Sequence, residues 1–352
     1  MIKRRKTRKI FVGNIPIGGD APIAIQSMTN TDTTDIAATV NQIKALESAG
    51  CDIVRTAVPQ KQALTAFAEI KKQITIPLVA DIHFDYKLAL GSLDAGADKI
   101  RINPGNIGKK EYVEKVVKKA VRYKIPIRVG VNSGSIEKDL LNEEGGATVN
   151  ALVRSGLRNI DLCREFGAED LVLSLKSSDV LKTIEAYRSA ARQTDVPLHI
   201  GVTEAGTVKS GTIKSAVGLG ILLADGIGDT LRVSLTGDPV DEVTVGRQIL
   251  KSLNLTPPGV NIISCPTCGR TRVDMIPIVD SVEKRLAGID KPLTLAIMGC
   301  VVNGPGEARE ADIGVACGKD SAVLFKKGKI IRRIKEDQIV QELINEVENW
   351  KG

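Results

Sequence analysis

Apolar positions along most of the chain follow two alternating patterns. Short runs rich in β-branched residues predict strands, and the segments between them carry apolar residues at helical spacing. The predicted strands occupy residues 23–28, 52–58, 78–83, 99–103, 127–132, 171–176, 198–203 and 230–235. The predicted helices occupy residues 35–49, 60–73, 86–96, 109–124, 150–166, 179–193, 208–224 and 240–253. The chain from residue 21 to about residue 254 is therefore predicted to contain eight strand–helix units.

A recurring glycine supports these units. Gly50, Gly96, Gly167 and Gly226 each lie between a predicted helix and the next predicted strand. Glycine commonly ends a helix in the left-handed conformation, and a polar residue then leads into the strand. Eight such units predict a TIM (β/α)8 barrel. An open doubly wound sheet is the alternative, but no glycine fingerprint follows the first strand, which favours the barrel.

A Pro-Pro-Gly stretch interrupts the alternation and predicts a domain boundary. We assign residues 1–254 to the barrel, 255–259 to a linker and 260–352 to a small α+β domain. The second domain has predicted strands near residues 260–264, 293–298, 311–316 and 321–326, and predicted helices near 273–288 and 336–349.

Composition and charge narrow the function. Hydrophobic residues make up 43% of the chain, yet no run is long enough to span a bilayer and no secretory segment begins it, so we expect a cytoplasmic globular protein. The net charge of +7 predicts an acidic partner or a phosphorylated substrate. Aromatic residues make up only 3%, which disfavours nucleic-acid stacking platforms. The basic residues 1–9 have no apolar core behind them and are expected to form a solvated arm.

Polar residues gather at the carboxyl ends of the predicted barrel strands, where barrel enzymes carry their active sites. The candidate binding residues are Arg55, His83, Arg101, Asn103, Arg128, Asn132, Lys176, Arg232 and Ser234. The arginines and Lys176 would form an anion cage, because guanidinium groups match phosphate oxygens in pairs. Glu204, just after the seventh strand, is a candidate general acid or an ion-pair partner of these cations. His83 is a candidate phosphate ligand or a satisfied core histidine.

Two cysteine-containing loops in the second domain predict a metal centre. Residues 264–270 read SCPTCGR and residues 299–307 read GCVVNGPGE. These loops would bring Cys265, Cys268, Cys300 and Glu307 within reach of one metal. From spacing alone, iron–sulfur and zinc both fit, and the fourth position could be Glu307, Cys317 or open.

At this point the sequence resembles the bacterial 4-hydroxy-3-methylbut-2-enyl diphosphate synthase family. The resemblance covers nearly the whole chain, and its most specific motifs are SCPTCGR, GCVVNGPGE and GDTLRVSLTGDP at residues 228–239. It implies a 4Fe-4S cluster held by Cys265, Cys268, Cys300 and Glu307. It implies the cyclic diphosphate of methylerythritol as substrate, in a two-electron ring opening that eliminates water. Glu204 would supply the proton, and a flavodoxin or ferredoxin would supply the electrons.

The resemblance also implies a homodimer with composite active sites. The eighth helix runs back towards the bottom of the barrel, away from the mouth. The linker that follows has five residues and reaches roughly 17 Å when extended. The cluster domain is therefore expected to cap the barrel of a second copy.

Three other functions are compatible with parts of the sequence. A zinc-containing barrel enzyme of the pterin-binding type would lack visible absorbance. A zinc-stabilised nucleic-acid-binding protein would bind DNA or RNA in a salt-dependent way. A radical enzyme using S-adenosylmethionine would require a Cys-x3-Cys-x2-Cys loop, which the chain lacks.

Overall fold

The computed structural model describes residues 2–256, 259–286, 288–289, 291–300 and 308–351. The chain divides into two compact units, residues 1–256 and 257–352, and the division falls inside the predicted linker. No helix within these described ranges is both long and apolar enough to cross a membrane.

A β-hairpin precedes the barrel and closes its amino-terminal end. Its strands are β1 (Ile10–Val12) and β2 (Ile15–Ile17), which pair antiparallel. Apolar hairpin residues pack against Ala24, Ile53 and other residues near the starts of the barrel strands. The sequence analysis did not predict this hairpin. The sequence analysis also predicted that the residues before the hairpin form a solvated arm. This prediction was wrong for Arg4 and Arg5, because their guanidinium groups bind backbone carbonyls and Asp229 at the amino-terminal end of the barrel.

The predicted barrel is confirmed. Its strands are β3 (Ala24–Met28), β4 (Ile53–Ala57), β5 (Leu78–Asp81), β6 (Lys99–Ile102), β7 (Ile127–Asn132), β8 (Leu171–Lys176), β9 (His199–Ile200) and β10 (Thr230–Leu231). They form one eight-stranded sheet in the order β8-β7-β6-β5-β4-β3-β10-β9, and all its pairings are parallel. A parallel bridge between Leu173 and Leu198 joins β8 to β9 and completes the ring.

Helices between the strands cover the outside of the ring. They are α1 (Ile36–Ser48), α2 (Gln62–Lys71), α3 (Tyr86–Asp94), α4 (Pro104–Ile107), α5 (Lys110–Tyr123), α6 (Lys138–Glu143), α7 (Val149–Glu165), α8 (Val180–Gln193), α9 (Val208–Ala224) and α10 (Pro239–Ser252). Side chains such as Asp35 and Asp179 cap their first turns by accepting backbone N–H groups. Gly50 and Gly96, which follow α1 and α3, adopt φ of 91° and 86°, as the helix-ending role requires.

Alternation along each barrel strand separates an apolar outer core from a polar interior. Val54, Ile100 and Leu173 belong to the large core between strands and helices. The intervening positions face inward, where they carry apolar groups near the hairpin and charged groups towards the carboxyl ends. The strand period therefore directs a column of polar side chains to one end of the barrel.

The second unit has one five-stranded sheet in the order β11-β12-β13-β14-β15. The strands are β11 (Val260–Ser264), β12 (Leu293–Met298), β13 (Ile313–Cys317), β14 (Ser321–Lys326) and β15 (Lys329–Lys335), and the helices are α11 (Met275–Leu286) and α12 (Ile339–Glu348). The first three strands are parallel and the last two add antiparallel. The sequence analysis did not predict β15, whose residues are mostly exposed and charged.

Candidate active site

Strand register places the inward polar residues side by side at the barrel mouth. Asp81 on β5 pairs with Arg101 on β6, and Arg101 pairs in turn with Arg128 on β7. Asn132 at the end of β7 pairs with Lys176 at the end of β8. Neighbouring strands therefore bring the residues that the sequence assigned to an anion cage onto one inner surface.

Asp81 is the carboxylate at the centre of this surface. Its Oδ1 accepts from Nη1 of Arg101 at 3.3 Å, and its Oδ2 lies 3.9 Å from Nε of Arg55 and 3.4 Å from Nε2 of His83. Burial by itself raises the pKa of Asp81, but Arg55, His83 and Arg101 outweigh burial and hold that pKa far below its usual range. Asp81 is therefore ionised and orients the cations around it.

A second carboxylate, Glu242 on α10, was missed in the sequence analysis. Both of its oxygens lie 3.3 Å from guanidinium nitrogens of Arg232, and the side chain is 5% exposed. It also accepts from the Ser27 hydroxyl and the Leu235 N–H. Acidic residues in the first turn of a helix usually interact with the helix dipole, so the sequence position of Glu242 did not indicate its contact with Arg232. Helical spacing could have identified it, because Glu242 lies on the buried face of α10.

The charges of the remaining basic side chains are far less neutralised by carboxylates. Arg128 is 1% exposed and Lys99 is fully buried. In the described parts of the chain, Nε and Nη1 of Arg128, Nε of Arg101 and Nζ of Lys99 are buried without a hydrogen-bond partner. Burial first, and then neighbouring arginines, lower the pKa of both Arg128 and Lys99. Lys99 was not predicted, although its period-two spacing from Arg101 indicated an inward position.

Basic groups thus outnumber carboxylates inside the barrel. The inward or mouth-lining cations are Arg55, Lys99, Arg101, Arg128, Lys176 and Arg232. Of these, Arg55 and Arg101 pair with Asp81, and Arg232 pairs with Glu242. Burial and the neighbouring arginines lower the pKa of Arg55 to about 10, despite its approach to Asp81. Unpartnered buried donors with excess positive charge have the chemistry that suits a multiply charged anion.

The neutral candidates lie at strand ends and in the loops that follow them. Asn103 accepts the Gly105 N–H at 3.1 Å and donates to the Ser135 carbonyl at 3.2 Å, so its amide shapes the loop around α4. The Asn132 N–H donates to the Ser135 hydroxyl at 3.0 Å. Ser234 is half-buried beyond the end of β10. The structure places these residues at the mouth, and their contact with a ligand stays a prediction.

Glu204 lies in the loop that follows β9. The sequence analysis placed it directly after the seventh strand, but β9 ends earlier, at Ile200. Its side chain is exposed, and no hydrogen bond or ion pair to it occurs within the described residues. Its φ of 53° is in the left-handed region, which costs a non-glycine residue roughly 1–2 kcal/mol. Such conformations concentrate at functional sites. The ion-pair alternative for Glu204 has no contact to support it among the residues described.

The cysteines of the second unit lie at the carboxyl edge of its parallel strands. Cys265 follows β11, Cys300 lies two residues beyond β12, and Cys317 ends β13. The Gly299 N–H donates to Sγ of Cys265 at 3.1 Å. Cys268 is exposed, and the Arg270 backbone N–H is the largest cause that lowers its pKa. The edge therefore combines several sulfurs with backbone donors.

The described residues at this edge do not test the predicted fourth metal ligand. Glu307 lies outside the described residues. Cys317 is fully buried, and burial raises the pKa of its thiol to about 12. No group of three or more His, Cys, Asp or Glu side chains in the described ranges is arranged to hold a metal ion.

Comparisons with solved structures show the fold of the first unit. Dihydropteroate synthase of Yersinia pestis matches with a TM-score of 0.51 and 13% identity, over 70% of this chain and 98% of that chain. The enzyme from Stenotrophomonas maltophilia gives a TM-score of 0.51 at 13% identity, over 71% of this chain and 100% of that chain. At such low identity the similarity establishes a shared barrel and nothing about its chemistry.

Sequence comparisons give much higher identities and cover both units of the chain. The model of the GcpE TIM-barrel domain matches residues 7–247, and the model of the GcpE protein C-terminal domain matches residues 261–349. The chain is 60% identical over 349 residues to 4-hydroxy-3-methylbut-2-en-1-yl diphosphate synthase (flavodoxin) of Caldanaerobacter subterraneus subsp. tengcongensis, covering 99% of this chain and 98% of that protein. It is 59% identical over 345 residues to the enzyme of the same name from Geobacter sulfurreducens, covering 98% of each. The chain therefore belongs to the GcpE family.

Proposed function

We propose that this protein converts 2-C-methyl-D-erythritol 2,4-cyclodiphosphate to 4-hydroxy-3-methylbut-2-enyl diphosphate in isoprenoid biosynthesis. The enzyme name shared by its relatives supports this reaction. The observation that carries the proposal is the excess of buried cations in the barrel, where Arg128 and Arg101 hold unpartnered N–H groups. A diphosphate is the ligand that satisfies these donors and neutralises their charge.

The proposed diphosphate site spans the barrel mouth. Its cations are Arg55, Arg101, Arg128, Lys176 and Arg232, supported by His83, Asn103, Asn132 and Ser234. Asp81 and Glu242 hold Arg101 and Arg232 in place, so those guanidinium groups need little reorganisation when the anion arrives. Positioning by fixed charges orients the ring of the substrate towards the loop that carries Glu204.

The second unit is proposed to hold a 4Fe-4S cluster through Cys265, Cys268, Cys300 and Glu307. The donor set fits such a group, because thiolates are iron–sulfur ligands and the Gly299 N–H already donates to the Cys265 sulfur. When bound, the cluster supplies single electrons for reductive C–O cleavage. Glu307 lies outside the described residues, so its part rests on the family motif.

Glu204 is proposed to deliver the proton that converts the departing oxygen to water. The overall change takes up two electrons and two protons, opens the ring at one C–O bond and releases water. A carboxyl group on an exposed mouth loop can both reach the ring and be reprotonated from solvent.

Electrons are proposed to come from a small acidic carrier. The relatives carry flavodoxin in their name, and ferredoxin is a carrier of similar charge. The net charge of +7 favours association with an acidic protein through electrostatic steering.

A homodimer with composite sites is also proposed. On α9, Ile213 is 62% exposed and Val217 is 48% exposed, and on α8, which packs against α9, Leu181 is 70% exposed. We assign this apolar surface to contact with a second copy. Mixing Glu204→Gln with Cys265→Ser protein should restore about a quarter of wild-type activity if sites form between chains. Verified mixed dimers without activity would exclude composite sites.

The reaction is tested with anaerobically purified protein whose iron, sulfide and absorption spectrum have been measured. Given the cyclic diphosphate and reduced flavodoxin, the wild type should form the linear allylic diphosphate. Glu204→Gln keeps the side-chain shape and should lower turnover by about a hundredfold or more with substrate affinity nearly unchanged. No product from cluster-loaded wild type with an active reductant would refute the proposed function.

A further inference from the structure

His199 lies in the wall of the barrel, below the residues assigned to the anion. It is fully buried on β9, between β8 and β10. Its Nδ1 is 2.7 Å from Oγ1 of Thr230, and its Nε2 is 3.4 Å from Nζ of Lys176. Thr230, His199 and Lys176 thus form a chain of polar contacts across neighbouring strands.

The adjoining backbone leaves room for the end of this chain. A Cβ added at Gly201 would lie 2.7 Å from Nζ of Lys176 and 2.6 Å from the Arg232 carbonyl oxygen. Any side chain at Gly201 would displace the ammonium group. The glycine and the histidine together define one position for Nζ.

Hydrogen-bond chemistry determines how His199 is protonated. Burial, followed by Arg128 and Arg232, lowers the pKa of Lys176, and a bound anion opposes this by stabilising the charged form. An ammonium group has three donors and no acceptor. Among the described residues, His199 Nε2 is the side-chain atom within hydrogen-bond distance of Lys176 Nζ. To accept from the ammonium, Nε2 must be unprotonated, so the ring proton is on Nδ1 and is donated to Thr230. Burial first, and then Arg128 and Lys176, lower the pKa of His199, which keeps the ring neutral.

We propose that His199 is a positioning residue for the diphosphate, held as its Nδ1–H tautomer by Thr230 so that Nε2 accepts from Lys176. One ammonium N–H then points to His199, and the other two are free for phosphate oxygens. The role of the anion and the charge of Lys176 that fixes the tautomer rest on the proposed function, whereas the contact between Lys176 and His199 does not.

The tautomer is measured on the intact protein with pyrophosphate bound and without any variant. The chain contains two histidines, so nitrogen-15 labelling of histidine gives signals from His83 and His199 alone. His83 has a side chain that is 53% exposed, and loss of one signal set in His83→Asn assigns the other. We expect His199 to show protonated Nδ1 and unprotonated Nε2. A protonated Nε2 at neutral pH would overturn the proposal.

The positioning role is tested with Thr230→Val, which keeps the shape and removes the hydroxyl. The Kd for inorganic pyrophosphate and the KM for the cyclic diphosphate should rise about threefold to tenfold, with kcat changed less than twofold. Thr56→Val is the matched control: Thr56 is a buried barrel-strand threonine whose hydroxyl bonds Thr29 at 2.9 Å instead. Equal effects of the two substitutions would contradict the proposal.

A second pair of variants separates hydrogen bonding from packing. His199→Gln retains an acceptor for Lys176, and His199→Leu does not. Pyrophosphate affinity should be higher in the glutamine variant, and equal affinities in two folded variants would overturn the role. If wild type binds pyrophosphate in this His199-dependent way but forms no allylic product, the proposed reaction fails while the positioning role stands.

Discussion

The barrel mouth and the cysteine edge occupy the same topological place, the carboxyl ends of parallel strands, yet they are built differently. Inside the barrel, Arg128 and Lys99 are buried basic groups without hydrogen-bond partners in the described chain. At the edge, the groups are thiols such as Cys300 and Cys268, of which the first is buried and the second exposed. Thiols are uncharged until they bind a metal, so burying them at the edge costs little electrostatic free energy.

This difference predicts opposite responses to ligand loss. Burying a cation without a partner costs several kcal/mol, and a bound anion offsets that cost. The folded mouth is therefore electrostatically strained when empty and relaxed when occupied. The cysteine edge follows the reverse logic, because ligand bonds add stability that free thiols do not provide.

Substitution of the ligand cysteines should have the largest effect. Cys265→Ser, Cys268→Ser and Cys300→Ser should each abolish iron content and turnover, because the harder oxygen replaces a thiolate. Pyrophosphate binding should persist, since the mouth contains none of these residues. Iron and sulfide analysis, turnover and calorimetry measure the three properties.

Cys317→Ala is the matched control for these variants. Cys317 lies at the same edge but is fully buried within an apolar cluster. We expect its substitution to lower stability and leave the iron content intact. Loss of iron in a folded Cys317→Ala protein would instead assign Cys317 as a ligand and exclude Glu307 from the fourth position.

Two arginines of the mouth should respond with opposite sign. Arg128→Met removes an unpartnered cation and should raise the free energy of unfolding of the free protein by about 1–4 kcal/mol. Arg232→Met leaves Glu242 uncompensated and should lower that free energy by about 2–3 kcal/mol, since part of Arg232 reaches solvent. Both substitutions should weaken pyrophosphate binding. Urea unfolding and calorimetry report the two effects.

Stability changes of the same sign would break this contrast. If Arg128→Met also destabilised the protein, its guanidinium would be a structural group whose contacts outweigh its burial. Added pyrophosphate sharpens the test, because it should stabilise the wild type more than Arg128→Met.

The barrel followed from sequence because its strong signals are local. Apolar periodicity and helix-ending glycines such as Gly50 depend only on neighbouring residues, so the units were predicted within a few positions. The hairpin was missed because its strands are three residues each and are stabilised by distant strand starts. The strands β9 and β10 are shorter than predicted, since they end at Ile200 and Leu231.

The inward positions of the candidate residues were predictable where strand ends identified them. Arg55, Arg101, Arg128 and Lys176 were expected inside the barrel because inward cations on successive strands are unusual, and all four are buried there. His199 was overlooked as a functional group because its role depends on partners on two other strands. Contacts between elements that lie far apart in the sequence depend on the fold, and the periodicity of the sequence alone does not predict them.

The last predicted effect is a pH dependence caused by Lys99 beneath the mouth. Burial, followed by Arg128 and Arg55, lowers the pKa of Lys99 well below the ordinary value of 10.5. Between that lowered pKa and 10.5, the unfolded chain binds a proton that the folded protein does not bind. Folding stability attributable to Lys99 must therefore rise with pH in this window, by at most about 1.4 kcal/mol per pH unit.

Lys99→Met isolates this contribution. We expect the variant to be more stable than wild type near neutral pH and to lose that advantage steadily as the pH rises towards 10. Urea unfolding at several pH values measures the difference in stability between wild type and variant. Lys87→Met, at an exposed position of α3, controls for the substitution itself. A difference between wild type and Lys99→Met that stays constant with pH would mean that Lys99 keeps its charge when buried. The interior would then have to contain a permanent anion or water cluster, and the mouth would no longer be strained when empty.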